Sequence, residues 1–267
     1  MLTSEQLAAL PVRGGFRLRG LEMTRIETFT DAAFAFALTL LVISGDPPTT
    51  AADLKQALKD VPAFVSSAIL LMVFWYSHND WSRRYGLDDM KTVILSSGLV
   101  LAVMVYVYPL RFVARGFFLF IALLTGLPVS ALIGPDGQPT ADASTVTEVN
   151  EYFIIYGIGY VVISAIMVLL YRHALSQREE LSLNEFETVT TRGDVGAWSI
   201  MCLVGFLSIM VAVANPFIGA PGFVYMLLSF VMPVWGARVR RRLKTISENA
   251  TPSPQEQMTP VTTVTQG

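Results

Sequence analysis

Long uncharged runs alternate with short clusters of charged residues along this chain, and their lengths predict a bundle of membrane-crossing helices. The spans they give are 26–45, uncharged from Ala32 onwards, 61–77, 92–110 and 152–171, each suited to one crossing. The run 195–237 is long enough for two, with Asn215-Pro216 and Gly219-Ala220-Pro221-Gly222 supplying a hairpin between them. The expectation is an all-α, polytopic integral membrane protein with six transmembrane helices. A further apolar run, 116–135, is interrupted by Gly126, Pro128 and Gly134. It reads as a continuation of the third helix beyond the membrane, or as an interfacial segment.

The basic residues decide the number of crossings. With six and a cytoplasmic amino terminus, 15 lysines and arginines fall inside and only Lys55, Lys59, Arg111 and Arg115 outside. A seventh crossing at 116–135 reduces the split to 12 against 7 and puts Arg238 to Lys244 on the side opposite the amino terminus. Both termini are therefore expected in the cytoplasm of a multi-pass protein of the cell membrane. The domain plan is a cytoplasmic segment 1–24, a six-helix domain 25–244 with an outer insertion at about 116–151, and a disordered cytoplasmic tail 245–267.

The first span carries the candidate chemistry. Its uncharged part, Ala32 to Gly45, has 14 residues, about 21 Å as a helix, whereas a bilayer core needs about 20 residues. The polar head Arg25-Ile26-Glu27-Thr28-Phe29-Thr30-Asp31 is thereby drawn into the membrane, and Asp31 is expected to face protein or water. Asp31 lies six residues from Arg25, and His78 six from Arg84. Both are about 9 Å in from a basic flank. They can meet at one level as a polar network with Arg25, Thr30 and Lys91, in which Arg25 or Lys91 neutralises the carboxylate. Equally, Asp31 and His78 can serve only as polar glue between helices.

Beyond Asp31, Phe36, Thr39, Leu40 and Ile43 share one helical face, and Ala32, Ala33, Ala35 and Ala37 permit close approach of neighbouring helices. Around a symmetry axis, Phe36, Leu40 and Ile43 would form apolar rings and Thr39 a ring of hydroxyls. The same stripe also suits packing within one protomer or contact with lipid, with Thr39 bonded to its own helix.

Composition narrows the classes. At 53% apolar, 15% charged and a mean hydropathy of +0.53, the chain does not read as a soluble enzyme. One cysteine, Cys202, excludes an intramolecular disulfide, and two histidines, His78 and His173, exclude a histidine cluster. No fixed metal site, cofactor, catalytic residue or nucleic-acid partner is expected. No cleavable signal peptide is evident in the first 24 residues.

The pattern Arg25-x-x-x-Phe29-Thr30-Asp31, continued by the alanine-rich Ala32 to Val42 and by a second span ending Trp75-Tyr76-Ser77-His78, resembles the transmembrane protein 175 family of potassium channels. That resemblance implies a homotetramer in the bacterial single-repeat branch, with a central pore lined by the first helix. It implies potassium-selective permeation without the usual carbonyl filter loop, and potassium passing near Phe36 and Thr39. Gating or filtering by apolar side-chain rings follows from the same resemblance. Thr39 matches the family threonine associated with selectivity. Thr30 stands where the family has serine, and Phe36 where it has a smaller aliphatic residue. The competing expectation is a proton-coupled secondary transporter that uses Asp31 or Glu27.

Overall fold

The computed structural model describes residues 4–43, 49–59, 61–125, 146–214 and 220–250. Eight helices and one small hairpin occur among them: α1 (Ser4–Ala9), β1 (Val12–Arg13), β2 (Phe16–Arg17), α2 (Arg25–Ile43), α3 (Ala51–Lys59), α4 (Val61–Tyr85), α5 (Met90–Thr125), α6 (Val146–Ser176), α7 (Glu185–Ala214) and α8 (Ala220–Ala250). Five helical segments are long and apolar enough to cross a membrane: Val61–Tyr85, Met90–Arg111, Asn150–Ser176, Glu185–Ala214 and Ala220–Glu248. Helix α2, 19 residues with Arg25, Glu27 and Asp31 in its first two turns, is not among them.

Three helix termini are capped by neighbouring residues in the sequence. Asp89 opens α5 by accepting hydrogen bonds from the Thr92 hydroxyl at 2.6 Å and the Thr92 amide at 3.3 Å. Gly86, at φ 60°, stops α4, and its amide returns to the Ser82 carbonyl at 2.8 Å. Asn184 and Glu187 form a reciprocal box at the start of α7: the Glu187 amide donates to Asn184 Oδ1 at 2.8 Å, and the Asn184 amide to Glu187 Oε2 at 3.0 Å.

The packing order follows from which faces are apolar. Helix α2 lies against α4 and α5, then α5 lies against α6, α6 against α7 and α7 against α8. Along α4 the buried positions Ala63, Ser67, Leu71, Phe74, His78, Trp81 and Tyr85 recur every three or four residues, which makes one seam. Aromatic contacts tie α4, α5, α6 and α8 together. Phe74 meets Tyr106 at 6.1 Å between ring centres, Tyr106 meets Tyr156 at 5.2 Å, and Tyr225 stands edge-on to Tyr156 and Tyr160 at 5.4 and 5.3 Å.

Two sequence expectations are altered here, and for a third one of its two alternatives is found. The second span continues to Tyr85, because Asn79 to Arg84 extend the α4 seam with Trp81 and Ser82 buried. The run from residue 116 continues α5 without a break as far as Thr125, while residues 126–145 lie outside the described residues. Residues 245–250, expected in the carboxyl-terminal tail, are helical. Helix α8 runs to Ala250, with Lys244 and Glu248 paired at 3.6 Å along it, and residues 251–267 lie outside the described residues.

Candidate functional site

Helix α2 begins on Thr24, whose hydroxyl accepts the Glu27 amide at 3.2 Å and whose carbonyl accepts the Thr28 amide at 3.1 Å. One face of the helix is buried against α4 and α5: Glu27, Thr30, Phe34, Ala37 and Leu41. The opposite face is uncovered in the protomer and carries Phe29, Ala32, Ala35, Phe36, Thr39 and Val42. Phe36 is 52% exposed, which places its ring outside the packed core of its own chain. The Thr39 hydroxyl is exposed and donates to the Phe36 carbonyl at 2.6 Å. Leu40 is half-buried on the flank of this face, packed against the core. The backbone of Ile43 ends α2, and its side chain lies outside the described residues.

The polar residues of the first two spans are held separately. Asp31 accepts the indole N–H of Trp75 at 2.7 Å. His78 shares a hydrogen bond with Ser96 of α5 at 3.0 Å, and the Thr30 hydroxyl donates to the carbonyl of Ile26 at 2.8 Å. Arg25 and Lys91 are exposed, and among the described residues neither forms an ion pair. The expected cluster of Arg25, Asp31, His78 and Lys91 is therefore not drawn together. Counting residues from the basic flanks gives height along each helix but not direction around it. His78 belongs to the α4 seam that turns to α5, and Trp75, one residue round from Phe74, is the side chain that meets α2.

Both ends of α2 are tied to the bundle through backbone groups. Near its carboxyl end, Arg111 of α5 donates to the Leu41 carbonyl at 3.3 Å, supplying a cation where the helix dipole is negative. Before its amino end, the chain forms a strap. Gly14 and Gly15, with φ of 59° and 85°, make the tight turn that pairs Val12 with Arg17 and Arg13 with Phe16. Phe16 is then buried edge-on against Tyr85 at 5.6 Å, with the guanidiniums of Arg84 and Arg19 at 5.3 and 5.8 Å from its ring centre.

Glu187 of α7 closes this strap. Its side chain is fully buried and accepts from Arg17 Nη2 at 2.8 Å, Arg17 Nε at 3.0 Å, the Arg17 amide at 2.9 Å and Arg19 Nη2 at 2.8 Å. The hydrogen bonds it donates to Glu187 hold the Arg17 guanidinium above its ordinary value, against the opposing effect of burial. Arg17 and Arg19 also donate to the carbonyls of Ser182 and Leu181 at 2.9 and 2.8 Å. The strap continues along the end of α4, where the Gly20 amide donates to the Arg83 carbonyl at 3.0 Å, and α2 starts five residues later. A β-carbon at Gly20 would come 2.5 Å from the Ser82 carbonyl oxygen, so only glycine fits.

Three further polar links brace the same end of the bundle. Arg84 pairs with Asp80 at 2.7 Å and with Asp194 at 2.9 Å, joining α4 to α7. The Tyr85 and Thr191 hydroxyls share a hydrogen bond at 2.7 Å. His173 of α6 donates to Asp89 at 2.9 Å. Sequence reading used these arginines only for topology and, with Arg84, for the depth of His78. The Gly-Gly pair between Arg13 and Phe16, and the Asn-x-x-Glu box at 184–187, were the available signals. Among the described residues, no group of three His, Cys, Asp or Glu side chains is placed to hold a metal.

Comparison with known proteins agrees with this layout. The family model for the endosomal/lysosomal potassium channel TMEM175 matches residues 25–109, which run from α2 into α5. A curated protein of Marivirga tractuosa described as a potassium channel is 34% identical over 226 residues, covering 83% of this chain and 89% of its own. Among solved structures, a threonine-to-alanine variant of the potassium channel MtTMEM175, crystallised with a nanobody–MBP fusion protein, superposes with a TM-score of 0.72. It is 31% identical, and the match covers 87% of this chain and 100% of that one.

Proposed function

The chain belongs to the TMEM175 family of potassium channels, and on that footing we propose that it is itself a potassium-selective channel of the cell membrane whose pore is lined by α2. In this reading α2 is the sixth crossing, and four copies meet around a central axis. Both termini are cytoplasmic, in keeping with the arginine distribution.

The observation that carries the reading is the uncovered face of α2. Packing within the protomer uses Glu27, Thr30, Phe34, Ala37 and Leu41, and leaves Phe29, Ala32, Phe36 and Thr39 exposed. Ala32 and Ala35 keep that face narrow enough for copies of α2 to come close. Phe36 then forms the apolar constriction, with Leu40 and Ile43 on the following turns, and Thr39 places hydroxyls next to it. The driving force is the ion gradient and the membrane potential. Asp31 and Trp75 fix α2 against α4, which makes Asp31 a positioning residue.

Purified protein in planar bilayers tests the proposal. Potassium currents with unitary steps are expected. Saturable, proton-coupled flux without unitary currents would overturn it in favour of transport through Asp31.

A further inference from the structure

Helix α8 carries a feature that permeation does not use. It is uncharged for 18 residues, from Ala220 to Ala237, about 27 Å of helix and close to the thickness of a hydrocarbon core. Directly afterwards come Arg238, Arg240, Arg241 and Arg242, all exposed. Relative to Arg238, the other three lie about 200°, 300° and 40° round the helix. The guanidiniums thus form an open collar of about 200°, broader than a stripe, whose gap is the side where Val239 meets α7.

Two further observations define that collar. Among the described residues, none of the four arginines forms an ion pair, whereas Lys244 one turn on is matched by Glu248. The level of the collar is set by α7: Trp235 donates its indole N–H to the Gly193 carbonyl at 2.9 Å, and a β-carbon at Gly193 would lie 2.8 Å from Val239 Cγ1. Arg192, exposed and likewise without an ion pair, stands at the same level on α7. Five guanidiniums therefore occupy one layer immediately beyond an apolar span.

We propose that this collar is a binding site for the phosphates of anionic phospholipid headgroups. A protein or peptide partner would be met by one face of a helix. Charge spread over more than half of the circumference, on the side of α8 that α7 does not cover, suits a broad anionic surface such as a leaflet. Guanidinium pairs with phosphate in bidentate fashion, and clustered basic residues next to a transmembrane helix are drawn to anionic lipid. The site depends on α8 crossing the membrane and is independent of conduction.

The test uses full-length protein in nanodiscs of phosphatidylcholine containing brominated phosphatidylglycerol, with tryptophan quenching as the readout. Trp235, three residues before Arg238, reports on the collar, and W235F identifies its share of the signal. The binding constant for phosphatidylglycerol relative to phosphatidylcholine is expected well above one at low salt. It should fall towards one near 1 M salt, where the Debye length is about 3 Å. R238Q/R240Q/R241Q/R242Q is expected to lower it at least tenfold, since each basic residue near an anionic surface contributes about fivefold. The corresponding four-lysine variant keeps the preference. Should the glutamine variant fail to fold, the single R238Q and R241Q variants are each expected to reduce the constant. A constant near one in the wild type, or one unchanged by the glutamine substitutions, overturns the proposal. Quenching reads lipid occupancy without ion flux, so its failure and a failure of the bilayer recordings are separate results.

Discussion

Trp75 donates its indole N–H to the carboxylate of Asp31 at 2.7 Å and thereby joins α4 to the charged head of α2. A hydrogen bond to a charged group is worth about 1.5–3 kcal/mol. Trp75→Phe is expected to lower unfolding stability by about that amount, whereas Asp31→Asn, which keeps an acceptor oxygen, should lose less. Denaturant unfolding of the purified protein compares the two. A Trp75→Phe loss that is the same in an Asp31→Ala background would mean that the indole contributes through its bulk alone.

The strap supplies a larger effect. Glu187→Gln leaves Arg17 and Arg19 without their carboxylate, and breaking a buried ion pair from one side costs about 3–5 kcal/mol. The expected readout is rapid trypsin cleavage after Arg17 and Arg19 in the variant, at protease levels that spare the wild type. A cleavage pattern indistinguishable from wild type would show that the strap stays docked without Glu187.

The contact between Asp89 and His173 gives a pH signature. Burial alone would raise the Asp89 carboxyl, but hydrogen bonds from Thr92 and His173 outweigh it and hold the group at about 2, below its ordinary 3.8. A depressed carboxylate stabilises the fold above its ordinary value, and that contribution disappears as the pH falls through about 2. The melting difference between wild type and Asp89→Asn is therefore expected to be steady above about pH 4 and to close towards pH 2. A difference that persists at pH 2 would exclude the Asp89 charge as its source.

Phe36 separates pore from packing. Its ring is 52% exposed in the protomer, so Phe36→Ala should alter folding stability by no more than about 0.5 kcal/mol. In the proposed pore the same change removes the apolar constriction, and unitary potassium conductance should rise severalfold. Thr39→Ala should lower the preference for potassium over sodium, read as a shift in reversal potential. Unchanged conductance in the first variant would place the pore elsewhere.

How much of this was legible in the sequence follows from what each signal measures. Uncharged runs mark long helices well, so five segments appear where the runs predicted them, and the unbroken passage from residue 116 into α5 was foreseeable. Helix α3 was missed because its nine residues form no long uncharged run, although Thr50 and Asp53 cap it reciprocally at 3.1 and 2.8 Å. The expected meeting of Asp31 and His78 failed on azimuth, since position along a helix says nothing of which neighbour a side chain turns to. The strap depends on contacts between residues some 170 positions apart, Arg17 and Glu187 among them, and no local pattern encodes these.

The bond from Thr39 to the Phe36 carbonyl has a chemical corollary. A hydroxyl has a single proton, and this one is committed to the helix that bears it. Its free side offers lone pairs and no donor, so towards its surroundings it behaves like a carbonyl oxygen. A cation reaching it would find the ligand already oriented, whereas an anion would find nothing there to hold it.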